Sequence, residues 1–195
     1  MPTRVKKIDN CIKFKLQSDG LVHKPLHLRT SKIKTNGDAV SSRLPMLYNS
    51  DIVISKSHFD TSMNYCYRNA HFDEVIYIQS GKGKLLTNFG TLDYGKGDYI
   101  VIPRGVIWYI NCDNKTNALV IESSGPIKTP KKYRNEFGQL IEGSPFCERD
   151  IKIPEYADPI DSNEDTLVRV RYNDGLQDII YANHPFDVIG WDGSF

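Results

Sequence analysis

The sequence predicts an all-β fold, an antiparallel β-barrel or jelly roll with an N-terminal arm and a long irregular C-terminal extension. Three observations lead there. Short runs of alternating apolar and polar residues recur at close, even spacing between residues 51 and 123. Turn-forming Gly, Pro and Asn clusters separate these runs. No helical periodicity interrupts them. The chain then divides into an arm (1–45), a barrel (46–124) and an extension and linker (125–195).

Within the arm, Ile12, Phe14 and Leu16 alternate with polar residues and predict a short strand ending at the Asp19-Gly20 turn. Asn36-Gly37 marks a second turn. The barrel begins with a strand over 51–55. A strand over 63–68 follows, with Tyr65 and Tyr67 two residues apart and therefore on one face. Further strands are predicted over 74–79, 84–89, 98–102, 106–111 and 118–123. Their intervals hold Ser80-Gly81-Lys82-Gly83, Gly90, Gly95-Lys96-Gly97, Pro103-Arg104-Gly105 and the polar stretch 113–117. Pro126, Pro130, Pro145, Pro154 and Pro159 break the rhythm over 125–165, and so long an irregular stretch is usually functional or packs on something else. Two last strands are predicted, over 166–172 and 187–191.

Composition sets the class. The chain has 195 residues, 39% of them hydrophobic, which suits a globular protein rather than a disordered one. Its apolar runs are far shorter than the ~20 residues a membrane helix needs. No apolar segment behind Met1 suggests a secretory signal, so a cytoplasmic location is expected. Lys and Arg total 25 against 24 acidic residues, a balance that argues against a dedicated nucleic-acid or anionic-membrane binder. Residues 1–34 are locally basic, which reads as a solvated strand face compensated by acids later in the chain. Cys11, Cys66, Cys112 and Cys147 form no CxxC pair and read as reduced thiols.

One spacing carries more. Six residues separate Glu74 from Gly81, and Gly97, Pro103 and Gly105 follow at fixed intervals. This resembles the two motifs of cupins, in which a His-x-His pair, a Glu and a final His hold a divalent metal inside a barrel. The geometric logic is that side chains two apart share the inner face of a strand, and neighbouring strands bring the rest. Here the His-x-His positions fall on Tyr67 and Asn69, and the last His position falls on Trp108. His71 lies near Glu74 but out of register. Trp108 reads as core filling where a metal and its water would need space.

The run 69–77 through Ile102-Pro103-Arg104-Gly105 resembles the N-terminal cupin of homogentisate 1,2-dioxygenases. So do Gly125-Pro126-Ile127, the stretch 133–140, Ser144-Pro145-Phe146-Cys147-Glu148-Arg149-Asp150, and the linker-like run 184–193. The resemblance covers roughly residues 45–195. It implies a non-haem Fe(II) enzyme of tyrosine and phenylalanine catabolism that opens homogentisate with O2 to give maleylacetoacetate. It also implies two cupin-like halves, an oligomeric assembly, and an iron site in the C-terminal half.

On that resemblance this chain corresponds to the N-terminal half. It is expected to be inactive alone and to bind no iron, and its partner would be a C-terminal cupin half on the same or a separate chain. No catalytic or metal residue is assigned to it, and its substrate contacts are left open. The alternative is a metal-free cupin module holding a small aromatic ligand among Tyr65, Tyr67 and Trp108. A metal-free isomerase would need a His base opposite Tyr67, and no inner position supplies one. His184 reads as a turn residue before Pro185. Arg134 and Glu136 read either as an ion pair or as contacts to another subunit, and Tyr133 and Phe137 would share a face if their stretch is a short helix.

Overall fold

The computed structural model describes residues 5–14, 25 and 27–187. Among them twelve strands form two facing sheets. In chain order these are β1 (Val5–Lys13), β2 (Leu44–Tyr48), β3 (Ile52–Phe59), β4 (Cys66–Asn69), β5 (Asp73–Ser80) and β6 (Gly83–Thr87). They continue as β7 (Gly90–Tyr94), β8 (Tyr99–Ile102), β9 (Ile107–Cys112), β10 (Thr116–Ser123), β11 (Thr166–Tyr172) and β12 (Gly175–Tyr181). One sheet runs β1-β12-β11-β4-β9-β6-β7 and the other β2-β3-β10-β5-β8. This is the jelly-roll arrangement that the strand rhythm predicts.

Alternation explains which residues face inward. Along β10, Thr116, Ala118, Val120 and Glu122 are buried while their neighbours are partly exposed. Ile76 and Ile78 of β5, Leu85 of β6, and Trp108 and Ile110 of β9 meet them between the sheets. Ala39 and Val40, which precede β2, belong to the same core. A turn glycine of the cupin-like spacing has a steric reason. Gly81 sits at φ +99°, and a Cβ there would lie 2.6 Å from Thr116 Cα.

The ladders depart from the antiparallel expectation at one place. β11 runs parallel to β4, pairing Val168 with Cys66 and Arg171 with Asn69. The segment 124–165 joins β10 of the other sheet to β11 with only 3-10 turns and isolated bridges, so β4 and β11 are far apart in sequence, as a parallel pair requires. β12 then pairs β11 on one side and β1 on the other, so the first and last described strands lie side by side.

Three local expectations change. The stretch 133–141 is not a helix. Arg134 bridges Leu140, Ile141 N–H donates to Tyr133 O, and the Asn135 side chain caps the tight turn, leaving Phe137 in solvent. The arm's strand spans Val5–Lys13 rather than 12–16, and residues 15–24 lie outside the described part. The predicted strand 187–191 lies outside it as well, apart from Asp187, which sits in a bend. Local compensation of the basic arm is visible in the Lys6–Asp165 and Lys7–Asp9 pairs. No described helix is long and apolar enough to cross a membrane.

Candidate functional site

The register of β5 against β10 places Glu74 directly opposite Glu122. Each stands in phase with apolar residues of its own strand, so both carboxylates point between the sheets, with Glu74 0% and Glu122 4% exposed. Two facing carboxylates in a low-dielectric interior repel and lose hydration. Two arginines offset this. Arg43, just before β2, places Nη1 2.5 Å from Glu74 Oε1 and 3.9 Å from Glu122 Oε1. Arg171 of β11 donates from Nε to Glu122 Oε1 at 3.3 Å, and its Nη1 donates to the backbone oxygens of Tyr172 and Asn173. Asn69 Nδ2 bridges the carboxylates, 3.2 Å from Glu74 and 2.9 Å from Glu122.

Aromatic rings complete the enclosure. Tyr67 and Trp108 are register partners across β4 and β9, with ring centroids 5.0 Å apart in an edge arrangement. The Arg43 guanidinium lies over both rings, 5.3 Å and 5.8 Å from their centroids. Tyr67 OH donates to Glu74 Oε1 at 3.3 Å. Arg171 lies over Phe14 and Phe72.

All four positions of the cupin-like ligand pattern therefore converge, but around a guanidinium. A phenol, an amide, a carboxylate and an indole are not the imidazole-carboxylate set that suits Fe(II), and the Arg43 head lies against three of them. The residues present do not fit the iron that the fold family implies. Among the described residues no group of three or more His, Cys, Asp or Glu is placed to hold a metal ion.

The charge states follow from the surroundings. Burial alone would lower the Arg43 pKa, but Glu74, Tyr67 and Glu122 outweigh it and hold it above its ordinary value. Burial and then Glu74 push the Tyr67 phenol well above its usual range. Tyr67 stays protonated as a hydrogen-bond donor and Arg43 stays charged. The cluster supplies fixed donors and charge, and these two members offer no proton to trade near neutral pH.

The histidines lie elsewhere. His71 packs its ring on Phe72 beside the cluster. His184 occupies the turn before Pro185, accepts from Phe186 N–H at Nδ1, and is pushed below its ordinary pKa by burial, with Asp187 opposing. Phe186 in turn stacks on Tyr109 of β9. Sequence reasoning named Tyr67, Asn69, Glu74 and Trp108 but missed Arg43, Glu122 and Arg171. Glu122 was findable, because a Glu in phase with Ala118 and Val120 must face the core and needs a cation. The arginines carry no such local signal.

Beside the cluster lies a cavity of about 180 Å³. Phe14, Val40, Pro45, Val53, Tyr67 and Leu176 give it apolar walls, and Arg43, Arg171, Glu122, Ser41 and Ser55 its polar ones. Of the three aromatic residues that the sequence grouped around a ligand, Tyr67 lines this cavity, whereas Tyr65 and Trp108 are packed into the core. Tyr65 donates its hydroxyl to Asp38 instead.

The family described as "Homogentisate 1,2-dioxygenase N-terminal" matches residues 13–195. The chain belongs to the homogentisate 1,2-dioxygenase N-terminal family. It is 36% identical over 197 residues to a provisionally named dioxygenase of Saccharolobus solfataricus, covering 98% of this chain and 50% of that one. It is 26% identical over 153 residues to the homogentisate 1,2-dioxygenase of Bradyrhizobium diazoefficiens, covering 73% of this chain and 30% of the relative. The chain thus spans half the length or less of these curated relatives. Among solved structures, a cupin-2 domain protein of Shewanella frigidimarina aligns with TM-score 0.39 and 18% identity, over 42% of this chain and 79% of that one.

Proposed function

We propose that this chain is the metal-free cupin half of a ring-cleaving dioxygenase, and that it serves as scaffold for an iron-bearing half. The reaction implied by family membership is the Fe(II)- and O2-dependent opening of homogentisate to maleylacetoacetate, in which both oxygen atoms enter the product. The observation that carries the scaffold reading is the Arg43 guanidinium among the four ligand positions, neutralising Glu74 and Glu122. A second feature supports a partner. The irregular segment 124–165 presents Phe137, Ile153 and Tyr156 at 80%, 76% and 68% exposure, apolar area that a docked half would cover. Its root is anchored, because Ile127 N–H and Arg104 both donate to Asp73 at the start of β5.

The experiment compares the chain alone with the chain joined to the C-terminal half of the Saccharolobus relative. Iron is measured by elemental analysis, and turnover as O2 uptake with homogentisate. The chain alone should hold no stoichiometric iron and consume no O2. The joined protein should do both, and Glu74→Gln within it should leave the iron content unchanged. Stoichiometric iron and turnover in the chain alone, or loss of iron on Glu74→Gln, would overturn the reading.

A further inference from the structure

We propose that the outer face of the five-stranded sheet is a docking surface for a second copy of this chain. The register lines up two rows of side chains across all five strands. Leu44, Lys56, Leu119, Tyr77 and Tyr99 form one row, and Leu47, Ile54, Ile121, Val75 and Val101 the other. In β5, β8 and β10 these residues alternate with the buried ones that fill the core, so both rows point away from it. An antiparallel sheet facing water ordinarily carries polar residues on that side. Here nine of the ten positions are aliphatic or aromatic. The tenth, Lys56, is turned onto its own sheet, where Nζ donates to Gln79 Oε1 and Asn117 Oδ1 and the residue is 1% exposed. The rows therefore ask for an uncharged, apolar partner surface, and the face itself is one.

Extent and shape both point to a second copy. Strands ~4.8 Å apart and same-face residues ~7 Å apart make the rows roughly 24 by 14 Å. That suits the apolar centre of an interface to which each partner gives ~800 Å², with polar neighbours such as Gln79, Asn117 and His58 as part of its rim. The rows are tall at one end, where Tyr99 stacks on Tyr77 with ring centroids 4.5 Å apart, and lower at the other, where Leu44 and Leu47 stand. Both ends are open: Tyr99 and Val101 are 69% and 50% exposed, Leu44 and Leu47 43% and 51%. β10 is the middle strand of the five. A two-fold axis parallel to the strands and above β10 sets the tall end of each copy on the low end of the other. Leu119 and Ile121 then meet their own counterparts, Tyr99 meets Leu44 of the second copy, and Val101 meets its Leu47. The last described turn of the chain lies against the other sheet, where Phe186 stacks on Tyr109 of β9, so this face is not the one beside which residue 187 ends.

The test is sedimentation equilibrium on the full chain, which should weigh as a dimer at micromolar concentration. Val101→Glu and Leu47→Lys place unlike charges at positions that meet only across the two-fold, because the two edge strands of one copy lie ~19 Å apart. Each variant alone should weaken association at least tenfold while thermal unfolding confirms that the fold persists. An equimolar mixture of the two should recover the dimer, since the introduced carboxylate then meets the introduced ammonium. Phe137→Ser, in the segment assigned to the C-terminal half, should leave the dimer unchanged, which separates this surface from the scaffold reading and its test of iron and turnover. A folded chain that stays monomeric, a dimer that withstands both charged variants, or a mixture that fails to associate would each overturn the proposal. So would a monomer whose β8 and β10 amides gain exchange protection only on joining the C-terminal half, which would give the face to that half instead.

Discussion

Glu74 is the residue on which the interior turns. It is fully buried, and its Oε1 receives Arg43, Asn69 and Tyr67 together. Arg43→Met should therefore destabilise the chain by about 3–5 kcal/mol, because it leaves the buried Glu74 carboxylate without a cation while Arg171 reaches only Glu122. Denaturant unfolding checks the value. Adding Glu74→Gln to that variant should recover part of the loss, since the second change removes the stranded charge. A loss confined below 1 kcal/mol in Arg43→Met would contradict the geometry.

Asp73 contributes to acid sensitivity at the same scale. Burial alone would raise its pKa, but hydrogen bonds from Arg104 and Ile127 N–H outweigh that and hold it below the ordinary carboxylate value. A folded pKa below the unfolded one means that the unfolded chain binds the proton first. The stabilisation is complete above the unfolded value near ~4 and is lost as pH falls from there through the folded value. Asp73→Asn should lower stability at neutral pH and flatten the fall in stability below about pH 4. An acid limb as steep in the variant as in the parent would remove Asp73 from this role.

At the scale of elements, legibility followed alternation. β5, β9, β10 and β11 carry apolar residues at alternate positions over much of their length, and the sequence locates them to within a few residues. β1 is exposed at all nine positions and is rich in Lys, so it has no inner face to betray it. β2 carries Pro45 on a sheet edge, where no ladder hydrogen bond is forfeited, and Pro there reads as a breaker. β7 and β12 are short of alternation and begin at glycines that read as turns. The carboxylate pair was half legible, and the arginines meeting it come from segments distant in sequence.

β7 also holds the irregular segment in place. Thr91 and Glu155 exchange backbone hydrogen bonds, and Gly90 lies against the Glu155 carbonyl at φ +123°. A Cβ at Gly90 would collide with that carbonyl and would sit in strained backbone. Gly90→Ala should lower stability by about 1–3 kcal/mol. It should also release the strand contact at 155, seen as faster tryptic cleavage after Lys152. Unchanged cleavage there would mean that the bridge is not what restrains the segment.

Over the whole molecule, two sheets of seven and five described strands close on one shared core. A side-chain cation, Arg43, lies among the positions of the ligand pattern, and the segment 124–165 leaves Phe137, Ile153 and Tyr156 exposed. The interior is thus a structural ion cluster with a cavity at its side.

The side-by-side placement of β1 and β12 has a consequence for biosynthesis. Val5 pairs with Tyr181, so β1 waits until β12 has been translated before that edge is covered. The same delay applies inside. Glu74 and Glu122 can come together on β5 and β10 before Arg171 has been translated, when, of the two arginines paired with them among the described residues, Arg43 alone is present. A nascent chain stalled near residue 125 would carry a half-neutralised interior and open sheet edges. Unpaired edges and exposed apolar surface of that kind favour aggregation until β11 and β12 emerge.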